Sequence, residues 1–90
     1  MQAKELEFRG IPMHHLGMYL EELGGKKKSD TFPISYCGED WRAEILGEEV
    51  IAFTTVFKVN AVYIRFMAEN SDALEELLNQ YRKKTFRAGG

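Results

Sequence analysis

The sequence predicts a two-layer α+β sandwich: a five-stranded antiparallel sheet with two helices on one face, in the order β-α-β-β-β-β-α. Three observations predict it. Apolar residues alternate with a period of two through Val50–Met67, the signature of strands. Two other stretches, around Leu16 and Leu77, carry apolar residues at helical spacing. The turns between the middle strands are short, which forces antiparallel neighbours. One apolar stripe per helix and one greasy sheet face are satisfied together when both helices cover the same face.

In chain order, Lys4–Arg9 alternates charged and apolar residues, with Leu6 and Phe8 inward, and reads as the first strand; Gly10 ends it. Pro12 suits a first helical turn, where its missing N–H costs nothing. Met13, Leu16, Leu20 and Leu23 form the buried stripe of this helix, and Gly24-Gly25 stops it. Gly17, inside the helix, costs about 1 kcal/mol relative to alanine and suits a close approach to the sheet. Lys26–Asp30 reads as a charged loop. Phe32, Ile34 and Tyr36 alternate as a second strand, whose Pro33 points to an edge or a bulge.

Cys37–Asp40 reads as a turn, and Trp41, Ala43 and Ile45 as a third strand. Gly47-Glu48-Glu49 is expected to turn the chain into a central hairpin whose strands join at Asn60. Its buried face is expected to hold Ile51, Phe53, Phe57, Val62, Ile64 and Phe66, each contributing roughly 1.5–3 kcal/mol if fully buried. Ser71 is expected to cap the last helix, with Asp72, Glu75 and Glu76 near its positive end and Arg82, Lys83 and Lys84 near its negative end. Leu74, Leu77, Leu78 and Tyr81 form its buried stripe.

Ninety residues make a single domain, 1–90, with 29% charged and 44% hydrophobic residues. The net charge of −2 gives no broad attraction to nucleic acid or to an anionic membrane. Apolar runs fall short of the roughly 20 residues of a membrane span. The stretch MQAKELEFRG lacks the apolar core of a signal peptide. Cys37, the single cysteine, excludes an internal disulfide. The expected compartment is the cytoplasm.

Chemical signals are sparse. His14 and His15 are adjacent, so on a helix they point about 100° apart and do not chelate one metal as an i, i+4 pair does. Cys37 has no local base or helix N-terminus to activate its thiol. The acidic pairs Glu39-Asp40 and Glu48-Glu49 fall in expected turns, where charges are solvated. A nucleophile, base and orienter cannot be assembled from this sequence, so the leading expectation is a protein without catalytic residues, metal or cofactor, with a small enzyme using His14 or His15 as a further alternative. The basic residues Lys26–Lys28, Arg82, Lys83, Lys84 and Arg87 read as helix-end and solubility charges, with capture of a phosphate or an acidic partner as the alternative.

The outer sheet face is the expected interface. It is read as displaying Arg42, Glu44, Leu46, Thr54, Val56, Lys58, Tyr63, Arg65 and Met67. Tyr63, Arg65, Met67 and Arg42 are the candidate residues for a ligand, for a protein partner or for a second copy, because arginine and tyrosine favour such places.

The chain ends in Gly89-Gly90. This tail resembles that of ubiquitin-like sulfur carriers such as MoaD, the small subunit of molybdopterin synthase. That resemblance implies that Gly90 is adenylated and then converted to a thiocarboxylate. The body differs, since the ubiquitin-like fold places a hairpin before its helix. A longer resemblance runs through FRGIPMHHLGMYLEELGG (Phe8–Gly25), Val56–Phe66 and YRKKTFRAGG (Tyr81–Gly90). These segments are similar to a small bacterial family related to the C-terminal domain of MoaD-related proteins. It implies a TATA-binding-protein-like fold and an accessory role in molybdopterin biosynthesis, with no catalytic motif to carry over.

Overall fold

The structure is a computed structural model that describes residues 1–89, with side chains through Phe86. It comprises β1 (Gln2–Arg9), α1 (Met13–Glu22), β2 (Lys26–Lys27), β3 (Ile34–Cys37), β4 (Trp41–Ala52), β5 (Lys58–Ala68) and α2 (Ser71–Gly89). The strands form one antiparallel sheet in the order β1-β5-β4-β3-β2. This is the expected α+β class and element order. The strands themselves are distributed differently along the chain.

Four boundaries move. Lys26-Lys27, expected in a loop, pairs with Cys37 and Tyr36 as a two-residue edge strand. Phe32 and Pro33 precede β3 instead of belonging to it. Gly47-Glu48-Glu49 does not turn the chain: β4 runs straight through it to Ala52. The glycine follows a bulge, where the register slips between Ile45 and Gly47, a position glycine accepts readily. The reversal comes instead at residues 53–57, where the Phe53 N–H donates to the Phe57 carbonyl and the Thr54 hydroxyl accepts from the amides of Val56 and Phe57. Asn60 lies within β5.

The bulge overturns the expected burial of the hairpin. Ile45 faces the helices opposite Ile64, but the extra residue, Leu46, shifts the parity, so that Gly47 stands opposite Tyr63 and Val50 opposite Asn60. Ile51 therefore shares the parity of the outer face, and Phe53 and Phe57 leave the sheet. Phe53, Phe57 and Val50 are 53%, 57% and 68% exposed. The ribbon of Val50–Ala52 and Lys58–Asn60 extends past Arg9, the last β1 residue paired to β5, and past the β3–β4 pairing that ends at Ile45.

The core lies between the sheet and the helices. It joins Leu16 and Leu20 of α1 and Leu74, Leu77, Leu78 and Tyr81 of α2 to Ile34, Tyr36, Ala43, Ile45, Val62, Ile64, Phe66 and Ala68 of the sheet. Tyr81 ties the helices together: its hydroxyl donates to the Leu16 carbonyl at 2.7 Å, and burial raises its pKa. Gly17 makes the predicted close approach, facing the Tyr36 hydroxyl of β3. Gly24 ends α1 in the left-handed region, with φ 99°. The cap of α2 is Asn70, whose Oδ1 accepts from the Ala73 N–H at 2.9 Å. Ser71, expected there, is already the first helical residue.

Candidate functional site

With both helices on one face, the other face of the sheet is open. Its side chains come from alternate residues: Glu5, Glu7 and Arg9 of β1, Tyr63, Arg65 and Met67 of β5, Arg42 and Glu44 of β4, and Cys37 of β3, in register across the strands. Thr54 and Val56, expected on this face, are in the hairpin turn, and Lys58 has the parity of the helix side.

Most of the open face is neutralised within the chain. Arg65 reaches Glu5 at 3.6 Å, Arg42 reaches Glu44 at 3.5 Å, and Arg9 pairs with Glu7. The Tyr63 hydroxyl donates to Glu49, and this bond, with some desolvation, pushes the phenol up to about 12. Exposed ion pairs of this kind contribute little stability, but they occupy the groups that a ligand would use. Tyr63 and Arg65 are thus committed to partners of their own.

The register separates the other two candidates from them. Arg42 and Met67 are direct cross-strand partners at the opposite end of the face from the ribbon. Both line a cavity of about 550 Å³, together with Cys37, Trp41, Ala68 and three carboxylate residues, Glu39, Asp40 and Glu69. Its volume falls within the range of small-ligand pockets, and its mixture of apolar wall and few polar groups is typical of them. A second cavity, of about 360 Å³, lies beside it; Glu39, Asp40 and Trp41 line both.

Trp41 is the residue that sequence reasoning passes over, treating it as one strand residue among others. Its indole lies against two glycines. A Cβ on Gly25 would stand 2.6 Å from the ring's Cη2, and a Cβ on Gly38 would overlap the indole Nε1 and Cε2. The available signal is a sole tryptophan preceded by Gly38 and an acidic pair. What cannot be read is that Gly25, the second glycine of the α1 stop, meets the same ring.

The remaining candidates do not assemble into a site. His14 and His15 stack edge to face with ring centroids 4.4 Å apart. Among the described residues no group of three His, Cys, Asp or Glu side chains is placed to hold a metal ion. Lys84 pairs with Glu22 at 2.7 Å and Lys27 with Asp30 at 3.0 Å, so the two basic clusters are partly spent on internal ion pairs. No helix is long and apolar enough to cross a membrane among the described residues. Of the two tail glycines, Gly89 is the last residue of α2, and Gly90 lies outside the described residues.

The family model described as "Archaeal MoaD-like protein" matches residues 4–90. The chain belongs to that family. The bacterial family suggested by the sequence segments is thereby corrected to an archaeal one, and the match does not assign this archaeal MoaD-like protein to a C-terminal domain. No curated protein and no solved structure matches the chain significantly.

Proposed function

We propose that this archaeal MoaD-like protein is a non-enzymatic binding domain accessory to molybdopterin cofactor biosynthesis, and that its ligand is a pterin held in the cavity beside Trp41. The cavity carries the reading. It joins an indole, the Met67 thioether and the half-exposed Arg42 to the carboxylates of Glu39, Asp40 and Glu69. A pterin is flat, offers several N–H donors along one edge and has a polar substituent at the other. Carboxylates accept from such an edge in charge-assisted hydrogen bonds, and an aromatic wall favours a planar ring.

Trp41, the only tryptophan, is the reporter. Titration with neopterin is expected to quench its emission saturably. The Asp40→Asn and Glu69→Gln variants are expected to weaken binding by about tenfold each, in line with the loss of a charge-assisted bond. Unchanged Trp41 emission at millimolar neopterin would remove the pterin reading.

A second reading is supported by the family match, which continues to residue 90, and by the terminal Gly89-Gly90. In it the chain is a sulfur carrier, and Gly90 becomes an acyl-adenylate and then a thiocarboxylate. Intact mass of protein from its native host tests this, because sulfur in place of oxygen adds about 16 Da at the acyl carbon. Oxidation of methionine or cysteine adds a similar mass, so fragmentation must place the shift on Gly90. Deleting Gly89-Gly90 abolishes a carrier and leaves neopterin binding intact.

A further inference from the structure

The two edges of the sheet are unlike. At one, β2 is only two lysines long, a short charged edge of the kind that resists pairing. At the other, β1 runs eight residues without proline or register slip, and it pairs only with β5. Among the described residues nothing pairs with its second edge. Beside that edge, Phe8, Ile11 and Phe86 line a cavity of about 340 Å³, and Phe86 is 79% exposed.

We propose that β1 pairs antiparallel with β1 of a second copy of this chain, joining two sheets into one of ten strands. The charge pattern selects the partner and its register. Glu5, Glu7 and Arg9 lie on the open face and Lys4, Leu6 and Phe8 on the helix side, as their pairing with β5 fixes. A two-fold axis through the sheet sets each residue opposite one of the same face. Centred on Leu6, the pairing would oppose Glu5 to Glu7 twice, and centred on Glu5 it would oppose Glu5 to itself with no contact between unlike charges to offset it. Like charges directly opposite are destabilising.

Centred on Glu7, the same strand sets Glu5 opposite Arg9 twice on the open face and Leu6 opposite Phe8 twice on the helix side. The two Glu7 carboxylates then meet at the axis, and the Arg9 that pairs with each of them within its own chain is shared with the Glu5 of the second copy. Centring on Phe8 also opposes unlike charges, Glu7 to Arg9, but uses a shorter stretch that ends in the bend at Gly10. The longer register is the one proposed. It extends the open face across both copies, and it stands whether or not the cavity beside Trp41 takes a pterin.

Sedimentation equilibrium over a range of concentrations tests it with reversed charges. Glu5 and Arg9 are exposed, so the variants should fold, which circular dichroism verifies. The wild-type chain of 10.4 kDa should approach twice that mass as concentration rises. Glu5→Arg alone sets two arginines opposite each other, and Arg9→Glu alone sets two glutamates so, and each variant should stay monomeric. Their equimolar mixture should form a heterodimer, because the arginine introduced at position 5 of one chain then faces the glutamate introduced at position 9 of the other, and the first chain's Arg9 faces the second chain's Glu5. A wild-type mass of 10.4 kDa at every concentration would overturn the proposal and make the charged edge a guard against pairing. A Glu5→Arg variant that dimerises like the wild type would overturn the register. A mixture that stays monomeric would show that the single variants act on something other than this edge.

Discussion

Gly17 offers a direct measurement of how tightly α1 is drawn onto the sheet. An alanine Cβ there would lie 2.5 Å from the Tyr36 hydroxyl oxygen and 3.3 Å from Cζ. Helix propensity alone favours Gly17→Ala by about 1 kcal/mol. Overpacking of a filled core costs about 1–3 kcal/mol, and Tyr36, only 5% exposed, has little room to yield. The expected net result is a loss of about 1 kcal/mol, or roughly 4–8 °C in melting temperature for a domain of this size. Tyr36→Phe removes the nearest atom and leaves the 3.3 Å contact, so in that background Gly17→Ala should cost little or become favourable. A double-mutant cycle by urea denaturation should therefore return a coupling of about 1 kcal/mol or more, as expected for touching residues. If Gly17→Ala stabilises the protein equally in both backgrounds, the close approach does not constrain the helix and the reasoning fails.

Three further outcomes follow from other sites. Gly38→Ala should force the indole of Trp41 aside, with a red shift of its emission and a loss of about 1–3 kcal/mol. Glu49→Gln should move the ionisation of one tyrosine to lower pH in an ultraviolet titration, since Glu49 is the main cause of the raised value at Tyr63. Because the folded pKa of that phenol lies above its ordinary 10.0, the stability from this bond is fully present below pH 10 and is lost as pH rises through about 12. The double substitution Phe53→Ser and Phe57→Ser should cost about 1 kcal/mol or less in thermal or chemical denaturation, mainly through their mutual contact. Buried phenylalanines would cost about 3–5 kcal/mol each, so a loss of that size would show that the hairpin tip is covered.

The parts legible in the sequence are those in which one local pattern determines the outcome. Leu74, Leu77, Leu78 and Tyr81 are buried as their spacing requires, and Gly24 ends α1 where a glycine pair should. The hairpin departs from its pattern because alternation does not reveal how far a strand outruns the layer that covers it. Val50, Phe53 and Phe57 have the composition of a core and lie beyond the helices. Gly47-Glu48-Glu49 has the composition of a turn, yet its glycine follows a bulge within β4, and the bulge then reverses which residues face inward. Lys26-Lys27 is not legible as a strand because edge strands are polar and short by design. Of the four candidate residues on the open face, two are brought to a cavity by cross-strand register and two are engaged by carboxylates from neighbouring strands. Side-chain type alone cannot distinguish these fates.

The ribbon beyond Arg9 has a dynamic consequence. An isolated two-stranded hairpin is marginally stable in water, and from Val50 to Val59 no third strand pairs with either side of the ribbon. Its amides should therefore exchange with solvent deuterium through local opening, while those of Val62, Ile64 and Phe66, wholly buried between β1 and β4, should wait for global unfolding. The molecule thus divides into a protected base and a fraying arm. Val50, Phe53, Val56 and Phe57, all exposed, are thus carried on the part of the backbone that opens most readily.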